Sequence, residues 1–271
     1  MNKLRFLHIP KTAGTTFTNI LIEQYGNENY FQFTGDIDQD LINFKSLPND
    51  KQSQVSLFTG HAPIKTGLEL ADSIDVVTFL RDPIDRVKSF CQHASEGKSP
   101  YLLKDFPPEE FDLSKFLSTP IFELENLQTK MLINKGRSAV RIQMPPSEAI
   151  DLAMDNLIRK TTFGLVEYFD ESLILFQQQY RWKLPVYSSS NKKDKNRLIE
   201  FKPHHIDKIK QLNAMDIELY QRAKICFKSN LKSQFFIKWK VNKLRKLTKY
   251  RTLGKITFWA KINNFFKLKL K

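Results

Sequence analysis

Residues 4–19, LRFLHIPKTAGTTFTN, restrict the fold more than any other stretch of the chain. An apolar run (Leu4, Phe6, Leu7, Ile9) stops at Pro10, and a short turn of small and hydroxylated residues follows. Phe17, Ile20 and Leu21 then recur at helical spacing. The pattern predicts a buried strand, a tight loop and a helix over 16–25 ending near Gly26. A helix start carries unpaired N–H groups and a partial positive charge, so a loop placed there suits a phosphate-like anion. Gly14 would let the backbone approach a ligand, Thr12, Thr15 and Thr16 offer hydroxyls, and Lys11 offers a point charge on a flexible stem. The order differs from the nucleotide triphosphatase loop G-x-x-x-x-G-K-[ST]: Lys11 precedes the glycine, and no second glycine sits where that pattern needs one. A strand–turn–helix whose threonines merely cap the helix is the plainer alternative.

Two later strands deliver polar residues to their C-terminal ends, the edge along which open α/β sheets bind ligands. Residues 55–59 (VSLFT) end at Gly60-His61. Imidazole titrates near neutral pH, which makes His61 a candidate general base, with a structural histidine bonded to a loop carbonyl as the even alternative. Residues 74–80 (IDVVTFL) are the clearest buried strand and run into Arg81-Asp82-Pro83-Ile84-Asp85-Arg86-Val87-Lys88-Ser89. Asp82 is placed to cap a helix with Pro83 in its first turn. Arg81 at the strand tip has the forked donors for bidentate phosphate binding, and Ser89 lies about two turns into the helix. Arg86 reads as a surface partner of Asp82 or Asp85. Between these strands, residues 27–54 are polar and mixed, and Asp36, Asp38 and Asp40 read as a solvated loop and helix start, since the glycine and glutamate of a calcium loop are missing.

A P-K-T-x-G-T-[ST] loop, a Gly-His strand end and an R-D-P-x-x-R-x-x-S segment occur in that order, and the combination resembles the sulfotransferases that use 3′-phosphoadenosine 5′-phosphosulfate. The resemblance is to the group that includes the heparan sulfate and dermatan sulfate 2-O-sulfotransferases and their bacterial relatives. It implies an α/β, P-loop-like three-layer fold with a central, mainly parallel sheet flanked by helices. It further implies that Lys11, Thr12, Ala13, Gly14, Thr15 and Thr16 hold the 5′-phosphosulfate, and that Arg81 and Ser89 bind the 3′-phosphate. His61 matches the proposed base, Lys11 would stabilise the leaving phosphate, and 3′-phosphoadenosine 5′-phosphate would be the product, with no metal involved. The polar segment 188–193 resembles a loop that closes over the nucleotide, which would give Ser190, Asn191 and Lys192 a cofactor role, with a disordered linker as the alternative. Asn126-Leu127-Gln128-Thr129 resembles a segment expected to line the acceptor cleft, and Phe163-Gly164-Leu165 with Glu167 resembles a strand of the fold. The chain departs from the pattern at Thr59, where a second histidine is common, and at His8, where a basic residue is usual.

Helices are expected within 122–132, over 148–159, over 170–182 and over 203–227, with His204 and His205 at the surface. The composition divides the 271 residues into a domain, 1–231, and a tail, 232–271. The tail holds thirteen Lys/Arg and no Asp or Glu, so it carries thirteen of the fourteen net positive charges. Ile237, Val241, Leu244, Leu247 and Tyr250 recur every three or four residues between its lysines, and Phe235, Phe236, Trp239, Phe258, Trp259, Phe265 and Phe266 add aromatics. A basic amphipathic helix of this kind suits an anionic membrane surface or a polyanion, the alternative being a helix that packs its stripe on the domain. Two cysteines make no disulfide framework, and no apolar run is long enough to span a bilayer. The expectation is a cytoplasmic protein, peripheral on the inner face of the membrane, that sulfates a carbohydrate or glycolipid acceptor and has no specific nucleic-acid partner. A small-molecule kinase and a non-catalytic nucleotide-binding, membrane-associated module are the alternatives.

Overall fold

The computed structural model describes residues 2–64, 74–133, 142–188, 198–232, 234 and 236–253. At its centre lies a five-stranded, wholly parallel sheet: β1 (Leu4–Leu7), β2 (Tyr30–Phe33), β3 (Leu57–Gly60), β4 (Asp75–Leu80) and β5 (Thr162–Leu165), in the order β2-β3-β1-β4-β5. Parallel strands need covering on both faces, which is why apolar side chains of β1 (Leu4, Phe6, Leu7) and β4 (Val77, Phe79, Leu80) point to both sides of the sheet. Leu4, Phe6, Val77 and Phe79 face one layer, built on α1 (Gly14–Tyr25) and α8 (Phe169–Tyr180). Leu7, Leu80 and Leu165 face the other, built on α6 (Leu127–Ile133), α7 (Pro146–Lys160) and α10 (Ala214–Lys232). This is the expected α/β three-layer architecture.

The edge strand β2 and the helices α2 (Ile37–Lys45) and α3 (Asn49–Gln54) arise from the stretch that reads as mixed polar sequence. Asp36 caps α2 through the N–H of Gln39, and buried Asp40 accepts from the N–H and hydroxyl of Thr34 and the N–H of Gly35. The acidic triplet is therefore a folding device whose last member is buried rather than solvated. The helix α4 (Pro83–Ser95) starts as expected, with Asp82 Oδ1 accepting from the N–H groups of Ile84 and Asp85.

Three readings need correction. Arg86 is not a surface residue: it is fully buried and donates to the Glu123 carbonyl at 2.8 Å. The helix expected over 203–227 is two, α9 (Pro203–Leu212) and α10, broken at buried Asn213. Asn213 leaves the helical path because its amide grips the Leu124 carbonyl and accepts from Asn126 N–H. His205 is buried, and because its Nδ1 accepts from Lys202 N–H, its Nε2 carries the proton toward Ser114 Oγ, on α5 (Leu113–Ser118), at 3.0 Å.

Around that break, α6 and α10 cap each other. Asp216 accepts from Gln128 N–H, Thr129 N–H and the Thr129 hydroxyl at 2.7–3.0 Å. Asn126 Oδ1 in turn accepts from Met215 and Asp216 N–H. Replacing Asp216 with alanine leaves three buried donors without a partner and should destabilise the protein by about 2–4 kcal/mol in chemical denaturation; a loss below about 0.5 kcal/mol would contradict the capping role.

The first part of the tail forms α11 (Ile237–Thr252), whose buried Ile237, Val241 and Leu244 join the core cluster of β1 and α1. Arg245 pairs with Asp170 and Glu171, and Arg251 with Glu23. The apolar stripe therefore packs on the domain. Among the described residues no helix is long and apolar enough to cross a membrane.

Candidate active site

With every strand parallel, the loops after β1, β3 and β4 emerge at one edge, where the chain order diverges on either side of β1. They open on a cleft of about 680 Å³ lined by Lys11, Ala13, Gly14, Thr15, Thr16, His61, Arg81 and Ser89. Residues separated by up to 158 positions in sequence, His8 and Val166 at the extremes, thus line one cleft.

The loop itself is tight. Lys11 and Ala13 hold φ angles of 70° and 63°, the left-handed region that costs a non-glycine residue of order 1–2 kcal/mol. Thr12 lies between them on the ordinary side, and its N–H donates to the Ile9 carbonyl at 3.4 Å, which closes the turn that leads into α1. The helix α1 then begins without a side-chain cap, so its first N–H groups face the cleft end of the loop. Thr12 plays another part than expected: it is fully buried, and its hydroxyl donates to the Ile9 carbonyl at 2.8 Å, closing the turn. Gly14 has a second constraint besides its place on the cleft. A Cβ there would lie 1.6 Å from His8 Nε2, so the missing side chain makes room for the His8 imidazole.

His8 is the residue the sequence left without a role. Its ring stacks on Phe6 at 5.1 Å and lies 4.4 Å from the His61 ring. Burial, then the neighbouring His61 and Lys11, push His8 down to about 3, so it stays neutral. The His8 carbonyl accepts a hydrogen bond from His61 Nδ1 at 2.9 Å. A carbonyl can only accept, so Nδ1 carries the proton and the basic lone pair of His61 belongs to Nε2. The chain before His61 is equally determined: Gly60 has φ 120°, and a Cβ would meet the Phe33 carbonyl at 2.1 Å. Beyond His61, Arg5 on β1 donates to the carbonyls of Ala62, Pro63 and Ile64. A buried arginine inside an apolar strand was the available signal for this anchor.

Arg81 Nη1 donates to the Lys11 carbonyl at 3.1 Å, tying the two cationic loops together. Gln128 clamps the Arg81 backbone from both sides, accepting from its N–H and donating to its carbonyl. Glu167 accepts from Asp82 N–H and from the Tyr220 hydroxyl. Asn126, Gln128 and Thr129 are thus buried supports of the Arg81 turn and do not line the cleft. Burial and the Arg81 guanidinium lower Lys11 to about 8. The cleft lining also includes His93, on α4, and Lys98, Ser99 and Tyr101, which follow the motif on an irregular segment and which sequence reasoning passed over. Ser190, Asn191 and Lys192 lie outside the described residues.

Residues 1–102 match the sequence model of the sulfotransferase family. Two curated proteins are similar over 175 residues at 25% identity: heparan-sulfate 6-O-sulfotransferase 2 of Danio rerio and heparan-sulfate 6-O-sulfotransferase 2 of Gallus gallus. Each match covers 56% of this chain but only 37% and 43%, respectively, of those longer proteins.

Proposed function

From the match of residues 1–102 to the sulfotransferase family model, we propose that the chain moves a sulfuryl group from 3′-phosphoadenosine 5′-phosphosulfate to a carbohydrate hydroxyl, a glycolipid sugar included. The observation that carries this reading is the junction of the Lys11 loop with Arg81 on one cleft that also holds His61. A donor with phosphate at both ends of an adenosine needs two anion grips, and a nucleoside of that size is accommodated by the cleft volume of about 680 Å³. The relatives' names specify the 6-O position of heparan sulfate, whereas the sequence motifs resemble 2-O enzymes. A carbohydrate hydroxyl is common to both.

The donor supplies an activated sulfur joined to phosphate through a bridging oxygen. His61 Nε2 takes the proton of the acceptor hydroxyl as that oxygen bonds to sulfur, while Nδ1–H stays on the His8 carbonyl and fixes the ring. The bond from sulfur to the bridging oxygen breaks, and Lys11 with the loop N–H groups stabilises the negative charge left on phosphate. Arg81 and Ser89 grip the other phosphate and align the donor for in-line attack.

Adding 3′-phosphoadenosine 5′-phosphate should raise the melting temperature, since a ligand at 100 times its Kd adds about 2.7 kcal/mol. A response to ATP with magnesium, and none to the bisphosphate, would favour a kinase and overturn the reading. Donor affinity should also fall as pH rises through about 8, where Lys11 loses its proton in the free protein. A bound anion raises that value, so proton and donor bind together, and Lys11→Met should flatten the pH dependence as read by calorimetry. A wild-type affinity flat from pH 7 to 9 would exclude Lys11 from the anion site.

A further inference from the structure

Helix α11 presents two chemically different sides. Ile237, Val241, Leu244 and Thr248 are buried against the domain. On its flanks Arg245 and Arg251 are taken up by Asp170, Glu171 and Glu23. The opposite side carries Trp239, Lys243, Lys246 and Tyr250, spaced four, three and four residues apart, which is one helical stripe pointing away from the core. Trp239 is 62% exposed, and the Lys243 ammonium sits 5.5 Å from its ring centre. Among the described residues neither Lys243 nor Lys246 forms an ion pair.

We propose that this outward stripe of α11 docks the protein on an anionic lipid surface, with the packed stripe holding the helix flat along the domain. The inference stands independently of sulfuryl transfer. Charge complementarity selects an anionic partner, since α11 has seven Lys/Arg and no acidic residue, and among the described residues only its two arginines are neutralised by the domain. The aromatics select lipid over a soluble polyanion. An indole and a phenol set among lysines fit the headgroup boundary, where their apolar bodies leave water and their polar tips stay wet, whereas a polyanion in solution draws its affinity chiefly from the cations.

The test is flotation of the full chain with vesicles of phosphatidylcholine alone or of phosphatidylcholine with phosphatidylglycerol. The protein should float with the anionic vesicles only, and less at high salt. Lys243→Ala with Lys246→Ala should weaken partitioning about 30-fold, each lysine near an anionic surface being worth about fivefold. Trp239→Ala should weaken it further. These variants keep residues 254–271, whose five lysines then act as a constant background. They also leave the packed side of α11 intact, so their melting temperature and their response to 3′-phosphoadenosine 5′-phosphate should match the parent. Flotation of the double variant equal to the parent would overturn the proposal. So would retention on immobilised heparin without vesicle binding, which would assign the stripe to a soluble polyanion.

Discussion

Replacing His61 with alanine should lower turnover at saturating donor by about 10²–10⁴-fold, the range expected for loss of a positioned general base. The expectation rests on a tautomer imposed by geometry: Nδ1 is held by the His8 carbonyl at 2.9 Å, so the nitrogen able to accept a proton is Nε2. Affinity for 3′-phosphoadenosine 5′-phosphate should change little, because the proposed phosphate grips are Lys11, Arg81 and Ser89, and His61 is not among them. His61→Asn, which keeps a donor near the His8 carbonyl but has no basic nitrogen, should be as slow as the alanine variant. Wild-type turnover in His61→Ala would show that the proton leaves by another route. Full turnover in His61→Asn alone would reduce His61 to a positioning group.

Gly14→Ala should abolish donor binding, with a loss of at least about 2 kcal/mol in stability from forcing one carbon into a packed site. The new Cβ would fall 1.6 Å from the His8 imidazole, a ring already enclosed by Phe6 and His61. Either the loop or the ring has to move, and each carries part of the site: the loop holds Lys11, and the His8 backbone holds His61. The cause is a single contact, so combining Gly14→Ala with His8→Ala should restore part of the lost stability and donor affinity, giving a clear departure from additivity in a double-mutant cycle. If the double variant were as damaged as the sum of the singles, the glycine would serve the ligand approach read from the sequence rather than room for His8.

The parts of the site legible in the sequence are those set by local rules. The β1–loop–α1 passage follows from an apolar run, a proline and a helical spacing. The Asp82 cap and Pro83 start of α4 follow from residue types at adjacent positions, and the structure has both. His61 and Arg81 were found because strands end in turns, and parallel strands end on the same edge. The misses share a different origin. Arg86 looked like a surface partner because Asp82, one turn back, and Asp85 beside it are acidic, but it is buried and bonds the carbonyl of Glu123, 37 residues away. The Asn126–Thr129 segment looked like a cleft wall, but Asp216 and Asn213, on or beside another helix, turn it into a support beneath Arg81. β2 was passed over because four residues of an edge strand, YFQF, are defined by pairing with β3 and not by their own pattern.

The sequence by itself determined the layered α/β class, the anion-suited loop and the two strand tips, because hydrophobic period and turn chemistry act over a few residues. It also determined that the tail is basic and amphipathic. Only the tertiary structure decided which side of that tail faces water, that Gly14 yields its space to His8, and which nitrogen of His61 is basic. Those outcomes depend on atoms brought within a few ångströms across long stretches of chain, and no local spacing encodes such distances.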